Sequence, residues 1–105
     1  MTLRIYTETL ETIRGMRKTL IEIHRHDADL GKQTRRALTS IPLNIAEGEH
    51  RSDGHGRARF ATAMGSANEV RACLEVAEAM GYIEEHATQR DTFDRIARTL
   101  FRLAR

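Results

Sequence analysis

The chain of 105 residues has no tryptophan, one proline, one cysteine and only five aromatic rings. Each scarcity excludes something. Without strand-forming aromatic runs, and with a single proline, the composition points to an all-helical chain whose core is built from aliphatic side chains. The lone Cys73 excludes a disulfide framework and a CxxC metal site within the chain, and it fits a reducing compartment, so a cytoplasmic protein is expected. No stretch approaches the roughly 18 apolar residues of a membrane span, and the first residues lack a signal-peptide core. The expectation is therefore a soluble protein with no membrane partner. An excess of one charge is missing as well: 17 Lys and Arg against 15 Asp and Glu give a formal +2, too slight to imply nucleic acid from total charge. Only local clustering can make that case. With 40% hydrophobic residues, the chain suffices for one domain, 1–105, with one modest core.

What the sequence does hold is helical periodicity. Leu3, Tyr6, Leu10, Ile13, Met16, Leu20 and Ile23 recur by threes and fours and predict a first amphipathic helix over about 3–24, which Gly15 weakens only slightly. Ile5, Ile21 and, later in the chain, Val76 fall off the apolar stripes and suggest a second apolar surface. The polar stretch His24 to Gly31 reads as a connection with Asp27 or Asp29 as cap. Leu30, Thr34, Ala37, Leu38, Ile41 and Ile45 carry a second helix over about 29–51. Ser52 and Asp53 offer a cap for a third helix over about 53–80, whose first turn should fray at Gly54 and Gly56. Phe60, Met64, Ala67, Val70 or Arg71, Leu74 and Ala77 mark its apolar face, and Gly81 signals its end. Phe93, Ile96, Leu100 and Leu103 mark a fourth helix over about 85–104. Four amphipathic helices with short connections predict an antiparallel up-down-up-down four-helix bundle.

The stretch from Ser40 to Arg51 is the least ordinary. Pro42 stands inside a helical pattern, where it cannot donate to the Leu38 carbonyl, and a kink costing about 3 kcal/mol is expected there. Thr39 or Ser40 would satisfy the freed carbonyls. Beside the apolar stripe, Ser40, Asn44, Glu47 and Arg51 make a polar one, and Ser66, Glu69 and Cys73 make another on the third helix; the two should meet, with Asn44 and Glu47 bonded near Arg59, Ser66 or Glu69.

Catalytic and metal chemistry find little footing. His24, His26 and Asp27 invite a metal, yet they read better as a solvated turn complementing a helix carboxyl end. Glu47 and His50 form one Glu-x-x-His pair, but a di-iron bundle needs two. Cys73 has no histidine at a helpful spacing, and no glycine-rich phosphate loop is present. No enzyme and no cofactor are expected. Charge clustering remains: Arg95, Arg98, Arg102 and Arg105 form a row on the fourth helix, and Arg14, Arg17 and Lys18 add basic charge on the first. The row marks either a face that contacts RNA or single-stranded DNA, or a solvated helix end.

The motifs QTRRALTSIPLNIAEG from Gln33 to Gly48, RF at Arg59 and Phe60, GSANE from Gly65 to Glu69, and GYI from Gly81 to Ile83 are specific enough to carry a family resemblance. The chain resembles the four-helix-bundle proteins of intervening sequences in bacterial 23S ribosomal RNA genes, which are related to the accessory protein of diversity-generating retroelements. The resemblance implies that Ser40, Pro42, Asn44, Glu47, Gly48, Arg59, Phe60, Gly65, Ser66 and Glu69 are structural signature positions, that the protein is a homopentamer, and that it has no catalytic residues. From the retroelement branch it implies a nucleic-acid or nucleoprotein partner. The chain departs from relatives at Gly54 to Gly56, which implies a later start for the third helix. Two functions follow as expectations: a non-enzymatic scaffold that binds RNA or a nucleoprotein weakly, and a protein-interaction hub with no nucleic-acid contact.

Overall fold

The structure, a computed structural model, describes residues 3–51, 53–85 and 87–105. Those residues form five helices and no strand: α1 (Arg4–Gly15), α2 (Arg17–His26), α3 (Ala28–Glu49), α4 (Gly54–Ala79) and α5 (Ala87–Ala104). The all-helical expectation holds. The count of four does not, because the expected first helix is divided at Met16. There the Met16 amide donates to the Ile13 carbonyl at 2.9 Å, a bond to the third residue back that tightens the last turn of α1. Glycine loses more backbone freedom in a helix than other residues, so a break beside Gly15 is where one is cheapest. The Gly15 carbonyl accepts from Gln89 Nε2 of α5 at 3.3 Å.

The expected connection of eight residues after the first helix shrinks to one. Asp27 alone separates α2 from α3, in extended conformation, and its Oδ1 accepts from the Leu30 amide at 3.0 Å. At the next junction Asp53 caps α4 by accepting from the His55 and Gly56 amides; the other proposed cap, Ser52, lies outside the described residues. The implied later start of this helix is also corrected, since α4 begins at Gly54. Gly56 is required rather than merely tolerated: a Cβ there would stand 2.4 Å from the Arg51 carbonyl oxygen. α4 ends in a Schellman turn, with Gly81 at φ 77° and the Tyr82 amide donating back to the Ala77 carbonyl.

Cross-links between helices give their directions. Leu3 at the start of α1 bonds Glu49 at the end of α3. Ser40 bonds Ser66 midway along α3 and α4, while Arg71 of α4 meets Asp94 of α5. Gln89 and Arg95 of α5 meet Gly15 and Glu8 of α1. α3 therefore runs antiparallel to α1 and α4, and α5 runs antiparallel to α4 and α1. The shared core holds Met16, Ile23, Ile41, Ile45, Val70, Leu74, Phe93, Ile96 and Leu100. On α1 the buried line is Ile5 and Thr9 rather than the expected stripe; Thr9 is tolerated because its hydroxyl donates to the Ile5 carbonyl at 2.7 Å. Ile5, expected on an outer surface, is a core residue.

Candidate nucleic-acid interface

The polar stripes of α3 and α4 meet at one point. Ser66 Oγ donates to Ser40 Oγ at 2.8 Å, and the same Ser40 oxygen accepts from Asn44 Nδ2 at 3.0 Å. The Asn44 amide also donates to the Ser40 carbonyl, and its Oδ1 accepts from Arg59 Nη1 at 3.5 Å. Lower on the same contact Gln33 donates to Glu69 at 3.4 Å. Glu47 does not join this network: it is half exposed and faces Arg51 of its own chain segment at 3.7 Å. The carbonyl freed by Pro42 is not where the neighbouring hydroxyls go either. Thr39 Oγ1 donates to the Arg35 and Arg36 carbonyls, one turn earlier. α3 runs through Pro42 without interruption, the ring buried.

Two signature glycines differ in what surrounds them. A Cβ on Gly48 would lie 2.8 Å from the ring of Phe60, so the glycine lets α4 approach α3. Gly65 has nothing within 4 Å of such an atom. Within one chain the space beside Gly65 is empty.

Of the residues weighed for metal chemistry, His26 and Asp27 have other partners. His26 stacks on Tyr82 with ring centroids 5.4 Å apart, and the Tyr82 hydroxyl donates to Asp27 Oδ2 at 3.4 Å. Desolvation, and then the Asp27 carboxylate, push the Tyr82 hydroxyl above its ordinary value of 10.0. This cluster pins the α2–α3 junction to the turn after α4. Among the described residues, no three His, Cys, Asp or Glu side chains are grouped to hold a metal ion. Cys73 is buried, and loss of water raises its thiol against the opposing bond to Thr34.

The basic residues divide into three sets. Arg95 turns toward α1 and meets Glu8 at 3.6 Å. Arg98, Arg102 and Arg105 line a groove between α4 and α5 of about 470 Å³, open to solvent, with Met64, Asn68, Asp94, Ala97 and Phe101. Of these three, Arg98 pairs with Asp94 at 3.2 Å, while Arg102 and Arg105 have no carboxylate within 4 Å among the described residues. The Arg105 guanidinium instead lies 5.5 Å above the Phe101 ring. Arg14, paired with Glu11, sits beside the start of α5, because Gly15 is opposite Gln89. Lys18 lines a separate cleft with His26, Tyr82 and Glu84. Arg14, Arg17 and Lys18 are thus not brought to the groove.

Phe101 and Asn68 are the groove residues that the sequence reading missed. Phe101 is 52% exposed, whereas Phe60 and Phe93 are buried. The signal was present: Asp94, Arg98, Phe101 and Arg105 step by four, three and four, the spacing of one helix face, and Phe101 falls off the Phe93, Ile96, Leu100, Leu103 stripe.

The described residues thus form an all-helical fold with a hydrogen-bonded seam between its two longest helices and a basic groove beside its last. The family model described as 23S rRNA-intervening sequence protein matches residues 1–102, and the chain belongs to that family. No curated protein matches it. No helix among the described residues is long and apolar enough to cross a membrane.

Proposed function

We propose that the protein is a non-enzymatic, cytoplasmic homo-oligomeric scaffold, a ring of five chains, that binds RNA weakly through the arginines of α5. In this reading α1 and α2 act together as one leg of a four-helix bundle. The observation that carries the RNA contact is the pair Arg102 and Arg105, cationic, exposed and, among the described residues, without a carboxylate within 4 Å, beside an open groove. Phosphates displace counterions from such residues, and repetition around a ring multiplies a weak contact by avidity. The ring draws support from Ile21, Leu43, Val76 and Met80, which are all exposed on a single chain, Leu43 at 69%. Gly65 adds an unfilled place on α4 where another backbone can come close. The same exposed apolar residues favour a second reading, a protein-interaction hub with no nucleic-acid contact.

Fluorescence anisotropy of a labelled single-stranded RNA across a salt series tests the RNA contact. Binding should weaken steeply with salt. Replacing Arg98 and Arg102 together by Glu should abolish it with little change in the melting curve, because exposed ion pairs such as Arg98 with Asp94 contribute about 0–1 kcal/mol. No binding by the parent at low salt, or equal binding by the double variant, leaves the hub as the function.

A further inference from the structure

Arg98 and Arg102 of α5, and Arg105 just after it, share a groove with the ring of Phe101. An arginine row that served only to keep a helix soluble would have no use for Phe101, which is half exposed in the groove lined by Arg98, Arg102 and Arg105, together with Met64 and Ala97. A purely phosphate-binding strip would have no use for it either. Resting on the reading of these arginines as an RNA contact, we propose that the groove between α4 and α5 takes one unpaired nucleotide of a single-stranded RNA, its base stacked on Phe101 and its flanking phosphates held by Arg98, Arg102 and Arg105.

Three features fit this occupant. The first is the aromatic face with a guanidinium already over it, at 5.5 Å; a base enters once Arg105 moves outward, and then has Phe101 on one face and Arg105 on the other, both surfaces that stack on bases. The second is charge. Arg102 and Arg105 have no carboxylate within 4 Å among the described residues, and Arg98 shares Asp94 with Arg71, so the one carboxylate lining the groove is already compensated by two cations. The third is the polar edge: Asn68 supplies an amide, and Asp94 and Asn68 supply acceptors to which a 2′-hydroxyl can donate. At about 470 Å³ the groove lies within the range of small-ligand sites, roughly 300–1,000 Å³. An acidic peptide would satisfy the arginines but would leave the apolar floor of Phe101, Met64 and Ala97 without a flat partner.

The test compares a labelled uridylate decamer with an abasic decamer of equal phosphate number, bound to the parent, to Phe101→Leu and to Phe101→Tyr at low salt. The parent should prefer the uridylate by about tenfold, as one base stacked on an aromatic ring contributes. Phe101→Leu should lose that preference while binding the abasic strand as before, and Phe101→Tyr should keep it. Equal binding of the two strands by the parent, or a preference that survives Phe101→Leu, overturns the base contact and leaves the phosphate contact standing. Failure of the parent to bind either strand removes the underlying arginine reading and the base contact with it. A deoxythymidylate decamer bound more tightly than the uridylate, a glutamate decamer bound equally well, or a change of oligomer mass in Phe101→Leu would each assign the groove to another occupant and overturn the proposal.

Discussion

Asn44 and Glu47 look alike in the sequence, two polar side chains on one stripe of a helix, and they differ in what the fold asks of them. Asn44 is half buried and holds Ser40 and Arg59; Glu47 is half exposed and faces only Arg51. Removing Asn44 strands a seam in which Ser40 and Ser66 also take part, and a hydrogen bond of this kind contributes about 0.5–1.5 kcal/mol. Asn44→Ala should therefore lower the melting temperature measurably in thermal unfolding followed by circular dichroism. Glu47→Ala should leave it within about 0.5 kcal/mol of the parent, as exposed ion pairs do. Equal losses from the two variants would show that Glu47 has a partner outside the single chain. The polar stripe was legible from spacing alone, but which of its members bond across the seam was not, because spacing gives a face and not the rotation of the neighbouring helix.

Among the elements, the start of α4 is the one whose behaviour should depend on pH. Asp53 accepts from the Gly56 and His55 amides, and the bond from Gly56, then the nearby His55, hold its carboxyl below the ordinary 3.8. A group whose value is lowered in the folded state stabilises that state above the unfolded value, and the contribution disappears as pH falls through the folded value. The cap should thus be intact from neutral pH down to about pH 4 and weaken below it. Amide chemical shifts of His55 and Gly56, followed between about pH 5 and pH 2, should report the loss. In Asp53→Asn, which keeps the capping oxygen without the titration, those shifts should stay nearly constant through the same window. Two glycines in a first turn suggest fraying from propensity; in the structure Asp53 caps that turn, and the close pass of the Arg51 carbonyl leaves no room for a Cβ at Gly56.

On the scale of the whole molecule, the proposed association rests on Ile21, Leu43, Val76 and Met80, exposed on a single chain, and on the empty space at Gly65. Light scattering after gel filtration should give a mass of about five chains at micromolar concentration; a monomeric mass would remove the ring and leave Arg102 and Arg105 without the avidity the proposed function needs. Gly65→Leu separates folding from assembly. Its side chain enters open space in one chain, so the melting of the fold should be nearly unchanged or slightly raised by better helix propensity. If α4 packs closely on a second copy there, the oligomer should dissociate.

The sequence by itself determined the helical class, the positions where α3, α4 and α5 begin and end to within a few residues, the stop at Gly81 and the arginine row, because each depends on local chemistry: a 3.6-residue period, a capping side chain, a residue that tolerates positive φ. The motifs from Gln33 to Glu69 also carried the family. Tertiary structure alone decided the rest. The break at Met16, the burial of Ile5, the seam that takes Asn44 and leaves Glu47, and the parting of Arg95 from Arg98, Arg102 and Arg105 all depend on which neighbour each helix face meets. Phe101 is the clearest case. Its spacing put it off the apolar stripe, and only the packing of α5 on α4 placed its half-exposed ring in one groove with Arg98, Arg102 and Arg105.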